Sequence, residues 1–411
     1  MTSTGARALR GTERRALTLL GVPTMALALA STVVTTYTPV VARSFVESSA
    51  VIGLIIGCEG LVALWLPLVV GTWSDRLDTR LGGRLPFLLG ATPFVVAGLI
   101  GLSLMGSTLV LALSALVFFA GYFVAYEPYR ALYPDAVGDA AAGRAQANQA
   151  VWRGVGTGLA LMGGGLLLSI GQIVPFLAAA VIYMACIGLF VWQLARRGIP
   201  HVPQRGHGTV MEELRALFGL LRGHHQLQAF LVANALWELT LAALKTFVVL
   251  YVTVGLGFSQ ASSSLIIGGV AVVVLGAAVL AGRLADSYGS VRVLRWATPV
   301  YGAGFLMPFF FDEAWAVTIA VPFIALGGGM IMSLPYAVLM PLMPKDQRGA
   351  MTGWYSVSRG VGTWLGPVFG GVAITALSGP FSGTHGYQAV WGVCAAATLL
   401  SLLPLARLRD P

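Results

Sequence analysis

Long apolar runs, separated by short polar segments, fill almost the whole of this 411-residue chain. Each run is about 20 residues long, which is the length that an α-helix needs to cross the hydrocarbon core of a bilayer. A helix is the expected element because lipid offers no partner for unpaired backbone groups. The pattern predicts an all-α membrane protein with twelve spans, near residues 17–41, 50–72, 87–105, 108–133, 147–169, 174–195, 226–255, 259–282, 293–311, 314–342, 351–378 and 386–406.

The composition agrees with a surface that meets lipid. The chain is 57% hydrophobic and 10% charged, whereas soluble proteins carry about 25% charged residues. A net charge of +9 could indicate nucleic-acid binding, but among membrane spans basic cytoplasmic loops explain it better. The sequence shows no nucleophile with a base, no metal cluster and no phosphate-binding loop, so it predicts neither an enzyme nor a metal or cofactor site.

The basic residues predict the orientation of the spans. With twelve spans, twenty of the 25 lysines and arginines fall on one side of the membrane, and only Arg43 falls on the other. Because cytoplasmic loops carry the excess of basic residues, both termini and the central loop are expected in the cytoplasm. The chain is therefore predicted to be a multi-pass protein of the plasma membrane.

An internal repeat divides the chain into two halves. The sequence Arg-Gly-Val-Gly-Thr at 153–157 recurs at 359–363, in spans 5 and 11. A second similarity joins Gly71–Asp75 after span 2 with Gly282–Asp286 after span 8. Parallel repeats of six spans are an architecture of transporters, in which the substrate binds between the halves.

The repeat also predicts the domain boundaries. We expect an N-terminal six-helix bundle at 1–195 and a C-terminal six-helix bundle at 226–411. A cytoplasmic linker at 196–225 joins them, and the apolar positions in 211–222 predict an amphipathic helix on the membrane surface.

The loop after span 2 carries the most specific motif. Gly71 would allow a tight exit from the span, and Asp75 could bind a neighbouring helix N-terminus and pair with an arginine. Such a charge cluster could lock and release helix ends, whereas the alternative is a basic loop that only fixes topology. The predicted gating and ion-pair residues are Asp75, Arg76, Arg80, Arg84, Asp135, Arg153, Asp286 and Arg359.

This loop resembles that of the major facilitator superfamily. Its run Ser-Asp-Arg, then Arg, then Gly-Gly-Arg-Leu-Pro-Phe, within 74–87, resembles the version in sucrose–proton symporters and the related glycoside–pentoside–hexuronide cation symporters. The segment Glu-Pro-Tyr-Arg-Ala-Leu-Tyr-Pro-Asp at 127–135 is also similar to sucrose transporters. The superfamily resemblance covers the whole chain, and the subfamily resemblance covers these two stretches. It implies sugar transport, with Arg130 in sugar recognition.

The resemblance also bears on the coupling ion. Sucrose transporters are similar to melibiose permease, which uses acidic residues on spans 2 and 4 for its cation. Here span 2 has one acid, Glu59, and span 4 has Glu127 beside the best-aligned position, Tyr126. We expect the ion to be a proton, with sodium left open, and the coupling residues to be Glu59, Glu127 and Glu238.

Ionisable residues within spans are costly, so each is a functional hypothesis. A carboxyl at the depth of Glu59 loses water and could exchange a proton near neutral pH. Its expected partner is Arg359, as a proton-controlled link or as a permanent strut. A pair between Glu127 and Arg153 is also plausible, either functional or structural. The complete set is Glu59, Glu127, Arg130, Arg153, Glu238, Lys245 and Arg359.

Two further expectations concern the sugar and the lysine. Sugars stack on aromatic rings and bind acidic, amide and guanidinium groups, although Trp and Tyr also serve as interfacial anchors. Lys245 is expected near the outer interface, with its ammonium group reaching water. The predicted substrate contacts are Tyr37, Tyr126, Glu127, Arg130, Asn234, Trp237, Glu238 and Tyr336.

Two functions stay open at this point. The leading interpretation is a proton-coupled sugar or glycoside symporter that works by alternating access, with coupling mainly in spans 2 and 4. The alternative is a proton-driven efflux antiporter for amphipathic compounds. A receptor or scaffold is disfavoured by the charges within the spans. The expected partners are the lipid bilayer and a small-molecule substrate, without nucleic acid, and the chain is predicted to be monomeric.

Overall fold

The computed structural model describes residues 11–74, 77, 79, 84–137, 142–197, 224–342 and 348–408. These residues form α-helices joined by short connections, and they include no β-strand. Most of the predicted linker, with its amphipathic helix at 211–222, lies outside the described residues.

Fourteen α-helices make up the described chain. Two of them, α11 and α14, continue the preceding helix after a break of one residue, and a π-helical turn at Tyr251–Gly255 extends α7. The helices are α1 (Gly11–Ala42), α2 (Ser49–Ser74), α3 (Leu85–Ser103), α4 (Thr108–Val137), α5 (Ala142–Ile170), α6 (Val174–Arg197), α7 (His225–Leu250), α8 (Gln260–Tyr288), α9 (Ser290–Phe310), α10 (Ala314–Ser333), α11 (Pro335–Leu342), α12 (Arg348–Ala376), α13 (Ala389–Leu400) and α14 (Leu402–Ala406).

The described helices follow the predicted order of twelve spans. Ten stretches are long and apolar enough to cross a membrane, and in two of these a pair of helices, α10 with α11 and α13 with α14, forms one stretch. The other two spans are α9 and α12. These two helices are less apolar than the other ten stretches because α9 contains Arg292 and Arg295 near its start and α12 contains Arg348 and Arg359.

The chain forms two compact units whose border crosses α1, α2 and α4. The first unit comprises Met1–Val34, Leu66–Met105 and Ala112–Gly208, and the second comprises Thr35–Trp65, Gly106–Leu111 and Thr209–Pro411. The second unit therefore joins the helices of the predicted C-terminal bundle to parts of α1 and α2. The division into two six-helix bundles stays a prediction.

Helix α12 organises the second unit, because its glycines let other helices approach closely. Gly362, Gly366 and Gly370 recur every fourth residue and lie against α7. A Cβ on Gly362 would lie 2.6 Å from the Cβ of Glu238 and 2.8 Å from the nitrogen of Leu239. The contact between α7 and α12 is extensive.

A second face of α12 lies against α2. A Cβ on Gly57 would lie 2.9 Å from the carbonyl oxygen of Trp364, and a Cβ on Gly60 would overlap the backbone nitrogen of the same residue. Towards the start of α2, the backbone nitrogen of Ala50 donates to Oγ1 of Thr375 at 3.1 Å. Helix α12 is thus held between α2 and α7.

In the first unit, α1 is the helix on which α4 and α5 pack. A Cβ on Gly156 of α5 would overlap the carbonyl oxygen of Met25 and lie 3.1 Å from the nitrogen of Leu29. From α4, the hydroxyl groups of Tyr129 and Tyr133 both donate to the carbonyl oxygen of Leu20, at 2.6 and 2.7 Å. The two tyrosines of the segment 127–135 therefore anchor α4 to α1.

Candidate functional site

A short ion pair between α7 and α12 lies at the centre of the candidate site. Nε of Arg359 donates to Oε1 of Glu238 at 2.8 Å. The two side chains meet because Gly362 brings the backbones of the helices together beside Glu238. Arg359 is 39% exposed and Glu238 is 20% exposed. Charged groups within spans face the bundle interior or water rather than lipid, so the pair is accessible to an ion or a substrate.

Glu59 lies near the middle of α2 and is half-buried. Its neighbour Gly60 is pressed against α12, and its carboxylate interacts electrostatically with Lys245, Arg359 and Glu238, most strongly with Lys245 among the three. Within the described part of the chain, it takes part in no hydrogen bond or ion pair. The predicted contact between Glu59 and Arg359 is not formed, because Arg359 pairs with Glu238 across the close contact between α7 and α12.

Glu59, Glu238, Lys245 and Arg359 together form what we call the charge cluster. All four residues belong to the second unit. Two carboxylates and two cations give no net charge when all four are ionised. An isolated charge at the centre of a span costs about 2.5–3.5 kcal/mol on insertion scales. In the charge cluster the two negative and the two positive charges compensate each other. This compensation explains how α2, α7 and α12 tolerate four ionisable residues within their spans.

Lys245 occupies a different place from the one predicted. It lies ten residues before Gly255, where the span ends, and this corresponds to about 15 Å along a helix. The side chain is half-buried and interacts with the mid-span Glu59. Lys245 therefore takes part in the charge cluster. The structure does not agree with the prediction that Lys245 lies near the outer interface with its ammonium group reaching water.

Residues of α4 and α5 form a second polar group, in the first unit. The rings of Tyr122 and Tyr126 stack with their centroids 5.2 Å apart, and Nη1 of Arg153 donates to the hydroxyl of Tyr126 at 3.3 Å. Arg130 lies one turn after Tyr126, on the same face, and is half-buried. Glu127 is also half-buried. The described ion pairs do not include the predicted pair of Glu127 and Arg153, because Arg153 is directed to Tyr126.

Three of the predicted sugar contacts are packed inside the second unit. Tyr37, Asn234 and Trp237 are each 1% exposed. The hydroxyl groups of Tyr37 and Ser264 are hydrogen-bonded at 2.9 Å, and Nδ2 of Asn234 donates to Oγ of Ser358 at 2.8 Å. In this structure the two hydrogen bonds join α1 to α8 and α7 to α12.

Other candidates present accessible surface. Tyr336 is 46% exposed, and its ring meets the ring of Tyr355 edge-on at 5.9 Å. Sequence reasoning missed Tyr355, whose ring centroid lies 6.0 Å from the guanidinium carbon of Arg359. The spacing of four residues between Tyr355 and Arg359 was the available signal, because such residues are neighbours on a helix.

The predicted gate is described only in part. Asp75, Arg76 and Arg80 lie outside the described residues, as does the side chain of Asp135. Arg84 directly precedes α3, and Asp286 is exposed near the end of α8. The gating role of these residues stays a prediction.

The chain matches the sequence profile of the Major Facilitator Superfamily over residues 20–277 and 232–411. The chain belongs to the major facilitator superfamily. Its predicted all-α fold is confirmed, and the protein is a membrane transporter, not an enzyme.

One curated relative aligns with part of the chain. It is an uncharacterized MFS-type transporter, YfiU, from Bacillus subtilis (strain 168), which is 31% identical over 160 residues. The alignment covers 39% of this chain and 30% of that protein, so it spans less than a third of the relative's length.

Solved transporters share the fold over almost the whole chain. A bacterial homologue of the human lysosomal transporter Spinster, inward-facing and occupied, has a TM-score of 0.76 at 16% identity and covers 97% of this chain and 96% of its own. The nucleoside transporter NupG has a TM-score of 0.73 at 14% identity, with 97% and 98% covered. A bacterial homologue of the iron transporter ferroportin has a TM-score of 0.72 at 14% identity, with 98% and 99% covered. At these identities the likeness shows the fold alone.

Proposed function

We propose that this transporter couples the movement of a sugar or glycoside to the movement of a proton in the same direction. The observation that carries the proposal is the charge cluster, in which Glu59 lies mid-span beside two cations and a second carboxylate. A carboxyl group in a span is costly and is typical of proton relays and ion pathways in transporters. The sugar is inferred from the resemblance of 127–135 to sucrose symporters, in which the matching arginine is Arg130.

A proton on Glu59 would change the forces between helices. Protonation would remove the attraction of Glu59 to Lys245 and Arg359, while the pair of Arg359 and Glu238 would remain. Glu59 belongs to the first repeat, on α2, whereas the cations belong to the second, on α7 and α12. The proton would therefore weaken one link between the repeats, and alternating access requires the repeats to move against each other.

The same cluster favours a proton over sodium. A sodium ion beside Glu59 would be repelled by Lys245 and Arg359, whereas a proton neutralises the carboxylate. We also infer that the transporter acts in the plasma membrane with both termini in the cytoplasm, as the distribution of basic residues indicates. Its predicted monomeric state stays a prediction.

The substitution Glu59→Gln tests the proposal in proteoliposomes. A glutamine keeps the shape of the side chain but cannot exchange a proton. We expect uphill sugar uptake, driven by an inside-alkaline pH gradient, to fall to background, while counterflow exchange continues. The matched control is Glu47→Gln, because Glu47 is exposed in the loop between α1 and α2, and this variant should transport as the wild type does.

The substrate panel should contain sugars, glycosides and amphipathic dyes. Uphill uptake at the wild-type rate by Glu59→Gln would exclude Glu59 as the coupling residue. Proton-driven export of dyes, without uptake of any sugar or glycoside, would contradict the symporter and support the efflux antiporter.

A further inference from the structure

Two exposed aromatic rings meet where α8 turns into α9. The connection between the helices is the single residue Gly289, whose φ of 85° is a backbone conformation that favours glycine. This sharp turn brings Tyr288, the last residue of α8, against Trp296 in the second turn of α9, with the ring centroids 5.7 Å apart. Both side chains are exposed. Tyrosine and tryptophan at the end of a span are typical of the boundary between lipid and water, so the turn marks one edge of the bilayer.

Three arginines belong to the same edge. Arg292 and Arg295 are exposed residues in the first two turns of α9. Nη2 of Arg295 donates to the carbonyl oxygen of Ala406 at 3.4 Å and to that of Leu408, and these two residues flank Arg407, which is also exposed. The end of α14 is thus held against the start of α9. We call Arg292, Arg295 and Arg407 the basic patch.

The described acidic residues of the second unit do not balance the basic patch. Asp286 lies on α8 one turn after Arg283 and can pair with that residue. The other five lie within spans or in loops at the opposite ends of the helices. Helix stability does not account for Arg292 either, because cations are disfavoured near a helix N-terminus. The acidic residues concerned are Glu47, Glu59, Glu238, Asp286, Asp312 and Glu313.

One face of α9 continues the basic patch across the membrane. Trp296, Val300 and Ala303 follow Arg292 at intervals of four, four and three residues, so all four share one face. All four are exposed, and an exposed face of a membrane-spanning helix meets lipid. Along the helix axis, Trp296 lies about 6 Å and Ala303 about 16 Å beyond Arg292. A charge, an aromatic ring and small apolar side chains therefore follow one another in the order of a phospholipid's headgroup, glycerol region and acyl chain.

We propose that the basic patch is a binding site for an anionic phospholipid. Its phosphate would bind Arg292 and Arg407, and one acyl chain would lie along Trp296 and Val300. A guanidinium group suits this ligand because it can donate two parallel hydrogen bonds to a phosphate. Basic groups between the ends of membrane helices are typical of headgroup sites for anionic lipids. The inference is independent of the transported substrate and of the coupling ion.

The charge of the headgroup should decide the affinity. Phosphatidylcholine carries an ammonium group that cancels the charge of its phosphate, whereas phosphatidylglycerol keeps a net negative charge. Each arginine near an anionic lipid favours binding by about fivefold. We therefore expect the site to prefer phosphatidylglycerol by at least about tenfold.

Trp296 can report directly on occupancy of the site. Bromine atoms on a lipid chain quench the fluorescence of a tryptophan that they contact. The chain has ten tryptophans, so the signal of Trp296 is the difference between the wild type and Trp296→Phe, which keeps an aromatic ring beside Tyr288. Brominated phosphatidylglycerol and brominated phosphatidylcholine with identical chains are compared in proteoliposomes of unbrominated phosphatidylcholine. The ratio of their association constants at Trp296 measures the preference.

Variants connect the preference to the arginines. Arg292→Gln and Arg407→Gln should each lower the ratio by about three- to fivefold, and the double variant should bring it close to one. Arg196→Gln is the matched control, because Arg196 is an exposed arginine over the ring of Trp192 at 4.0 Å in the first unit. It removes the same charge and should leave the ratio at Trp296 unchanged. If Arg407→Gln does not fold, Arg292→Gln alone makes the comparison.

Ionic strength provides a second measurement. The basic patch is exposed, so salt should screen its attraction for the headgroup. We expect the wild-type ratio to fall between 0.05 and about 1 M salt, where the Debye length shortens to about 3 Å. A ratio that does not respond to salt would contradict an attraction between charges.

Three results would overturn the inference. Equal quenching of Trp296 by the two lipids in the wild type would mean that the arginines only fix the topology of the chain. A preference that survives unchanged in the foldable variants of Arg292 and Arg407 would assign it to other residues. An equal loss in Arg196→Gln would indicate a general attraction of anionic lipid to a basic protein. The measurement contains no transported substrate, so none of these results would bear on the proposed function.

Discussion

The two copies of Arg-Gly-Val-Gly-Thr, at 153–157 in α5 and at 359–363 in α12, pack in the same way. The second glycine of each copy lies against the backbone of the first helix of its repeat. Gly156 approaches Met25 and Leu29 of α1, and Gly362 approaches Glu238 and Leu239 of α7. Duplication has therefore preserved a close contact between helices in both repeats.

The arginines of the two copies differ in their partners. Arg359 pairs with the carboxylate of Glu238 on α7, whereas Arg153 donates to the hydroxyl of Tyr126 on α4. When α1 and α7 are matched through their glycine contacts, Ala28 takes the position of Glu238, and it is 7% exposed. The packing of the repeat is thus separable from its charge chemistry, and the cluster occurs where the acid is present.

The proposed coupling site in the structure differs from the one that the sequence predicts. The distribution of ionisable residues along the chain favours spans 2 and 4, because Glu59, Glu127 and Arg130 are in the first repeat. In the structure, Glu59 interacts with residues of α7 and α12. We therefore propose coupling at α2, α7 and α12, with Glu127 and Arg130 on the side of substrate recognition.

The largest difference in stability and transport between the two copies should appear when the partner of each arginine is replaced. Glu238→Gln leaves the charge of Arg359 uncompensated, so we expect uphill uptake to fall to background and the free energy of unfolding to fall by about 1–3 kcal/mol. Tyr126→Phe is the matched change at Arg153, and it should cost less than about 1 kcal/mol, because Arg153 is exposed and its partner is neutral. Thermal melting and proteoliposome uptake measure the two effects.

A double variant tests whether the loss of stability in Glu238→Gln comes from the uncompensated charge of Arg359. Combining Glu238→Gln with Arg359→Gln removes both charges, so it should recover most of the stability without recovering transport. Equal losses in Glu238→Gln and Tyr126→Phe would show that the two copies do not differ in chemistry.

The glycine contacts should respond alike in the two copies. Gly156→Ala and Gly362→Ala both place a Cβ against backbone atoms of a neighbouring helix, so each should lower the free energy of unfolding by about 1–3 kcal/mol. The control is Gly158→Ala, because a Cβ at Gly158 meets no atom within 4 Å. The losses in free energy of unfolding are measured by thermal melting. A difference between Gly156→Ala and Gly362→Ala that exceeds this range would show that the two glycines do not pack in the same way.

The smallest expected effect comes from adding the missing acid. Ala28→Glu should place a carboxylate near Arg153, as Glu238 is near Arg359. A double-mutant cycle with Arg153→Gln should give a favourable coupling of about 0.5–1 kcal/mol, because contacting charges do not contribute additively. A coupling of zero would mean that the match of Ala28 with Glu238 is wrong.

Much of this arrangement is readable from the sequence, and the limits have physical reasons. Apolar length identifies the spans, and repeated residues identify the two copies. A helix interface beside Arg359 is also predictable, since Gly362, Gly366 and Gly370 follow it on one helix face, and small residues at this spacing mark a helix interface. The pattern does not reveal which helix fills that interface, so Glu59 and Glu238 could not be distinguished as partners.

Burial was the harder property to predict. The side-chain chemistry of Trp237 and Asn234 favours sugar binding, but periodicity alone does not separate a cavity-facing position from a packed one in a chain that is apolar throughout. Both are 1% exposed. The sequence predicts Lys245 near the outer interface, whereas in the structure it interacts electrostatically with Glu59 on another helix.

The glycine-lined faces of α12 also have a consequence for biosynthesis. This helix is not among those that are apolar enough to cross a membrane by themselves, because Arg348, Arg359 and many glycines dilute its apolar residues. It is made after α2 and α7, which supply its close packing and the carboxylate that pairs with Arg359. We therefore expect α12 to enter the bilayer only when the earlier helices are present to receive it, so the order of synthesis is part of how this transporter assembles.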